Sequence, residues 1–138
     1  MSEALEHKVP SVARRIQAMG RLAELGWKIG LRFDPLIYHD NFRDSYSELF
    51  RSVFAELKPE CIHSVSLGPL RFPKRVFDSM VKLYPHEPLL AGPLEENSGL
   101  VSTRREIQEK MLEFCRGALL GWVPETRLFP CAVGMEAP

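Results

Sequence analysis

The sequence predicts an α/β protein whose parallel strands take a barrel arrangement. Three observations predict it. Helical and strand patterns alternate along the chain as helix, strand, helix, strand, helix, loop, helix, strand. Strands separated by helices pair in parallel through right-handed crossovers. Each of the first two strands also carries one apolar and one polar face, whereas a strand covered by helices on both sides reads as continuous apolar residues. Finally, both strands run out into turn residues, Asp34-Pro35 and Gly68-Pro69-Leu70-Arg71. Those are the carboxyl ends, where parallel α/β structures gather ligands.

Pro10-Ser11 opens the first helix. Val12, Ile16, Met19 and Ala23 recur at helical spacing, and Gly26 is placed to end it. Trp27 to Phe33 follows as a strand, and Asp34-Pro35 is expected to close it, because Pro cannot donate to a central ladder. Asp40 or Asn41 caps the next helix. Its Tyr46, Leu49, Phe50, Val53, Phe54 and Leu57 give the strongest amphipathic signal in the chain. Lys58-Pro59 stops it, and Ile62 to Leu67 forms the second strand.

Pro73 suits the first position of the third helix, which carries Val76, Phe77, Met80, Val81 and Tyr84 and ends at Pro85. Residues 86–102 read as an irregular loop, rich in Pro, Gly, Glu and Asn. Thr103 to Glu106 matches a capping box. The fourth helix then runs through Ile107, Met111, Phe114, Cys115, Ala118 and Trp122. Thr126 to Val133 is the last strand. No repeat interrupts the pattern, and residues 1–138 read as a single domain.

Composition excludes several classes. Hydrophobic residues make up 45% and charged residues 26% of 138, which is globular rather than disordered. Eighteen basic residues balance 18 acidic ones, so no overall charge advertises nucleic-acid binding. No run approaches the roughly 18–20 apolar residues of a membrane span, so no membrane partner is expected. The cysteines, Cys61, Cys115 and Cys131, are odd in number and far apart, which fits a reducing cytoplasm and excludes a local zinc or iron–sulfur motif.

Strand alternation points to the candidate site. Ile29, Leu31 and Phe33 share one face, and Lys28, Gly30, Arg32 and Asp34 share the other. On the second strand His63, Val65 and Leu67 oppose Ile62, Ser64 and Ser66. In a barrel the apolar face meets the outer helices and the polar face lines a ligand-holding interior. Arg32 and Asp34, costly to bury unpaired, are then satisfied by a ligand. Mutual pairing, or water at a sheet edge, satisfies them equally well.

The runs RIQAMGRLAELGWKIGLRFDPLIY, SYSELFRSVFAEL and IHSVSLGPLRFPKRVFDSMVKLYP resemble the spore photoproduct lyase family, radical S-adenosylmethionine enzymes also described as DNA repair photolyase-like. The resemblance covers the carboxyl-terminal half of their partial, open TIM-like barrel, that is, the C-terminal βα units of a radical SAM fold. It extends through Arg104 and Arg105 to RLFPC and Met135-Glu136. It implies S-adenosylmethionine and a four-iron four-sulfur cluster in the complete protein. It also implies hydrogen abstraction by an adenosyl radical, repair of a DNA photoproduct, and DNA as a partner.

Two departures qualify these expectations. The family's C-x-x-x-C-x-x-C motif belongs to the amino-terminal half, and none of the three cysteines here has that spacing. The isolated chain is therefore expected to be inactive, with its partner the missing cluster-binding half. The family's Gly-, Lys- and Tyr-rich hairpin is also replaced by the short, acidic GPLEENSGLVST. The alternative is a non-catalytic α/β domain that binds a ligand or partner and self-associates through open strand edges.

Candidate contacts to cofactor or substrate are Asp34, Arg32, Ser64, Ser66 and Arg71. Asp34 can accept from a ribose or amine, or close an Asp-Pro turn. Arg32 can grip a carboxylate or phosphate, or pair with Asp34. Arg71 stands at the mouth, where it meets an anion or caps the following helix. Ser64 and Ser66 line the neighbouring strand, with packing as the simpler role. His39 reads as a surface residue and His63 as a core one. Cys61 and Cys115 read as small hydrophobes.

Overall fold

The structure, a computed structural model, describes residues 8–130. In chain order these form α1 (Val12–Glu24), β1 (Ile29–Leu36), α2 (Phe42–Glu56), β2 (Ile62–Pro69), β3 (Arg71–Pro73), α3 (Lys74–Leu83), β4 (Leu94–Asn97), β5 (Leu100–Thr103), α4 (Arg105–Leu119) and β6 (Leu128–Pro130). The larger sheet is parallel, in the order β1-β2-β6. Its apolar face carries the row Leu31, Val65 and Leu128, which are 5%, 0% and 6% exposed. Against that row pack Phe50 and Val53 of α2 and Met111, Cys115 and Leu119 of α4. The amphipathic spacing read from the sequence is thus the core of this layer.

Local chemistry explains the ends of α1. The Ser11 hydroxyl accepts from the Arg14 amide at 3.2 Å, the usual N-cap arrangement. Gly26, at φ +91°, takes the left-handed conformation that ends the helix. Before β2, the Arg127 guanidinium donates to the carbonyls of Pro59, at 3.1 Å, and Ile62. It thereby ties the entry to β2 to the residues that lead into β6.

Several expectations need correction. β1 does not stop at Asp34-Pro35 but runs on to Leu36, with an irregularity in register between Phe33 and Leu36. β1 is an edge strand among the described residues, so Pro35 can lack its N–H on the open side, and a bulge absorbs the misfit. A second register shift pairs Ile29 with Ile62 but Gly30 with Ser64, leaving His63 as the extra residue. That bulge turns Ile62 to the same buried side as Val65 and leaves His63 exposed, so His63 is not a core residue.

The loop expected over 86–102 contains a hairpin. β4 and β5 pair antiparallel across Ser98-Gly99, at φ 52° and 81°, and β3 pairs with β5 on the other side. The Asn-Ser-Gly sequence was the signal, since both turn residues need positive φ. The expected capping box is absent too. Thr103 is a buried strand residue, and the amide of Arg105 at the start of α4 donates to Glu95 of β4 at 3.1 Å. A carboxylate brought by tertiary structure caps the helix in place of its neighbour. Pro73 ends β3 rather than starting α3, and α4 ends at Leu119, before Trp122. Of the expected last strand, 128–130 is strand, while Cys131 to Val133 lies outside the described residues.

Candidate functional site

β1 and β2 deliver a carboxylate and a glycine to the same point at their carboxyl ends. A Cβ placed on Gly68 would lie 2.6 Å from Cγ of Asp34 and 2.7 and 2.9 Å from its two carboxylate oxygens. The carboxylate therefore rests directly on the Gly68 backbone, in space that any side chain at that position would fill. Gly68 is required there for room. Arg32 donates from Nη2 to Oδ2 of Asp34 at 3.3 Å, so the mutual pair foreseen as one alternative is present. The Asp34 side chain is 23% exposed and that of Arg32 63%.

Beside Asp34 opens a cavity of about 680 Å³, inside the roughly 300–1,000 Å³ typical of ligand sites. It lies between α1, α2 and the segment after β1. Its walls are largely apolar, with Phe33, Leu49, Leu70 and Phe72 among them. Its polar groups are Asp34, Arg15, His39, Ser45 and Tyr46. The Tyr46 hydroxyl accepts from the Ile37 amide at 2.7 Å, which fixes the segment carrying His39. Burial pushes the Tyr46 phenol above its ordinary value, against the opposing pull of that amide.

The other expected residues are spread around this point. Arg32, Ser64 and Ser66 share the open face of the parallel sheet, and Ser66 stands opposite Arg32. The Ser64 hydroxyl lies 3.1 Å from Nδ1 of His63. Arg71 is half-buried in β3 opposite Ser102, while its neighbours Leu70 and Phe72 line the cavity. His39, expected on the surface, is half-buried in the cavity wall. Sequence reasoning missed Arg15 and Gly68. Arg15 follows Val12 by three residues, on the inward side of α1, which was the available signal. The close approach at Gly68 depends on the register of two strands and leaves no local trace.

The family model for spore photoproduct lyase matches residues 1–96. The chain belongs to the spore photoproduct lyase family. No curated protein matches it. Solved structures of spore photoproduct lyase are similar in fold. A double mutant with bound AdoMet and dinucleoside spore photoproduct has a TM-score of 0.68 at 19% identity, over 89% of this chain and 38% of that one. Spore photoproduct lyase complexed with dinucleoside spore photoproduct has the same score and identity, over 90% and 38%. The chain thus spans 38% of the length of the structures it matches. They share with it a mixed α/β fold.

For this member of the spore photoproduct lyase family, the described residues do not fit an iron–sulfur cluster. No group of three or more His, Cys, Asp or Glu among them is arranged to hold a metal. Cys115 is fully buried, and burial pushes its thiol from 9.0 up to about 12, so it stays protonated where a cluster ligand must be a thiolate. A stability effect follows from this shift. As pH rises above about 9 the unfolded chain releases the Cys115 proton and the folded chain keeps it. Folded-state stability therefore falls across the window from 9.0 to about 12 and is intact below it. Urea melts at about pH 8 and about pH 10.5 should show the loss, up to about 1.4 kcal/mol per pH unit. Cys115→Ala should remove that component.

Proposed function

We propose that this chain forms the carboxyl-terminal part of an open radical S-adenosylmethionine barrel, and that the ends of β1 and β2 bind the nucleoside cofactor and its substrate. The observation that carries this reading is the Asp34 carboxylate seated on Gly68 at the mouth of the 680 Å³ cavity. A carboxylate held there accepts hydrogen bonds from hydroxyl or ammonium groups. The Ser64 and Ser66 hydroxyls and Arg32 lie outside that cavity, on the open face of the sheet, where Arg32 supplies an anion contact. When bound with a reduced cluster, S-adenosylmethionine supplies a radical that abstracts hydrogen. The cluster ligands then come from residues outside those described or from another chain, and this chain alone is inactive. Its own residues bind and orient. Family membership supports the same reading, with a lesion in DNA as the substrate class, and the odd, widely spaced cysteines fit a cytoplasmic location.

Asp34→Ala tests it. With the complete, cluster-loaded protein, S-adenosylmethionine affinity by calorimetry and 5′-deoxyadenosine formation should both fall at least about tenfold, the loss expected for one hydrogen bond to a charged group. The melting temperature should stay unchanged. An Asp34→Ala protein that binds and turns over normally removes this residue from the site.

A second reading, a non-catalytic module that self-associates, rests on α3. That helix buries none of its residues; its Val76 and Leu83, and Tyr84 just past its end, are 47%, 71% and 63% exposed. Such an apolar surface fits a second copy of the chain. On this reading, sedimentation finds a dimer that Leu83→Asp dissociates, and S-adenosylmethionine gives no heat of binding. A monomer at all concentrations excludes it.

A further inference from the structure

The cavity beside Asp34 has an interior that the carboxylate at its mouth does not use. Of the residues singled out on the open face of the sheet, only Asp34 lines it, while Arg32, Ser64 and Ser66 stand outside. Its walls belong instead to the helix-bearing side. Phe33 meets Phe50 of α2 edge-on at 4.9 Å, Leu36 is fully buried, and Leu49 comes from α2 itself. At 680 Å³ the space matches a small organic molecule.

The charges on the wall are already met. Asp34 holds Arg32 at 3.3 Å, and Arg15 has a partner of its own. Three other polar side chains are not. The His39 ring and the Ser45 hydroxyl make no hydrogen bond among the described residues. The Tyr46 oxygen accepts from the Ile37 amide at 2.7 Å, but its own proton has no acceptor among the described residues. Accepting one bond polarises a hydroxyl for donating the next, and burial pushes this phenol above its ordinary value, so it keeps the proton it would donate. The three groups cluster at one end of α2. Ser45 and Tyr46 are consecutive there, and the His39 carbonyl accepts from the amide of Phe42, the first residue of that helix, at 3.0 Å.

A molecule that fits presents apolar surface to the walls and one acceptor to that end. A net charge would find its counter-charges taken and would be costly to hold among apolar side chains. An anion would in addition face the Asp34 carboxylate. Phe33, Phe72 and Tyr46 in the lining favour a ring, because aromatic pairs gain more than their buried area alone. We infer that the cavity is a binding site of its own, for an uncharged aromatic compound bearing a carbonyl group, with the carbonyl oxygen accepting from the Tyr46 hydroxyl. This goes beyond the cofactor reading and does not rest on it.

The test is NMR titration of the 138-residue chain with acetophenone, ethylbenzene and benzoate, which share a ring and differ at one end. Acetophenone should bind more tightly than benzoate. It should shift the amide signals of Ile37 and Leu49 and leave those of Ser64 and Ser66 in place. Tyr46→Phe keeps the ring that packs on Phe50. It should weaken acetophenone about fivefold, the worth of one hydrogen bond, and leave ethylbenzene unchanged. Leu49→Trp, which fills the cavity, should abolish binding of both. Any of four results overturns the proposal: no binding of acetophenone, benzoate binding as tightly, an equal loss for acetophenone and ethylbenzene in Tyr46→Phe, or normal binding of both to Leu49→Trp. The Tyr46→Phe comparison decides the matter even where Leu49→Trp does not fold. Neither S-adenosylmethionine nor Asp34→Ala enters this experiment, so the cofactor reading can fail while the Tyr46 dependence holds, and the reverse.

Discussion

A chain carrying Gly68→Ala is expected to lose about 1–3 kcal/mol of stability, the cost of overpacking a filled site, and most of its Asp34-dependent ligand affinity. The new Cβ would stand 2.6 Å from Cγ of Asp34, closer than real carbon contacts allow. Asp34 has little length with which to swing aside, and moving it also disturbs the 3.3 Å contact with Arg32. The double variant Gly68→Ala/Asp34→Ala separates this from a general intolerance of Gly68. Removing the carboxylate removes the clash, so the double variant should be about as stable as Asp34→Ala alone. Denaturant melts of the four proteins close the cycle. Additive losses would mean that Asp34 and Gly68 do not share the space.

Replacing Phe50 with Ala is expected to cost about 3–5 kcal/mol, near the upper end for a core truncation. Phe50 is 1% exposed, and its ring meets Phe33 edge-on at 4.9 Å and Tyr46 at 6.1 Å. It therefore joins α2 to β1 directly behind the cavity. Phe33 and Tyr46 both line that cavity, and Tyr46 also holds the Ile37 amide. The truncation should loosen the segment 36–39 as well as lower the melting temperature. Faster amide exchange at Ile37 than at Val65, measured under native conditions, would report it. A variant that melts within about 1 kcal/mol of the parent would show that Phe50 is not central to this layer.

Much of this architecture was legible because periodicity reports burial directly. Val53, Phe54 and Leu57 repeat at helical spacing, and the structure buries all three. Leu31 and Val65 alternate with Arg32 and Ser66, and the sheet separates them as that alternation requires. Reading failed where one residue changed the count. The bulge at His63 inverts the faces at the start of β2, and alternation by itself cannot register an inserted residue. The same limit hid the 94–103 hairpin, whose acidic and turn residues read as a loop until β3 supplied a partner for Leu100 to Ser102. In the site, Asp34 was singled out from its place at a strand end. Its seat on Gly68 and its neighbours Arg15 and His39 were not, because they come from elements far apart in the chain.

The order of the helices and of the parallel strands, the apolar faces of α2 and β1 and the carboxylate near the end of β1 are properties of local sequence, set by side-chain spacing and by turn residues. Register, the cap that Glu95 gives α4, and the cavity between α1, α2 and β1 are tertiary decisions. They depend on distances between segments that the chain brings together only when its apolar faces leave water, and no residue-by-residue pattern encodes those distances.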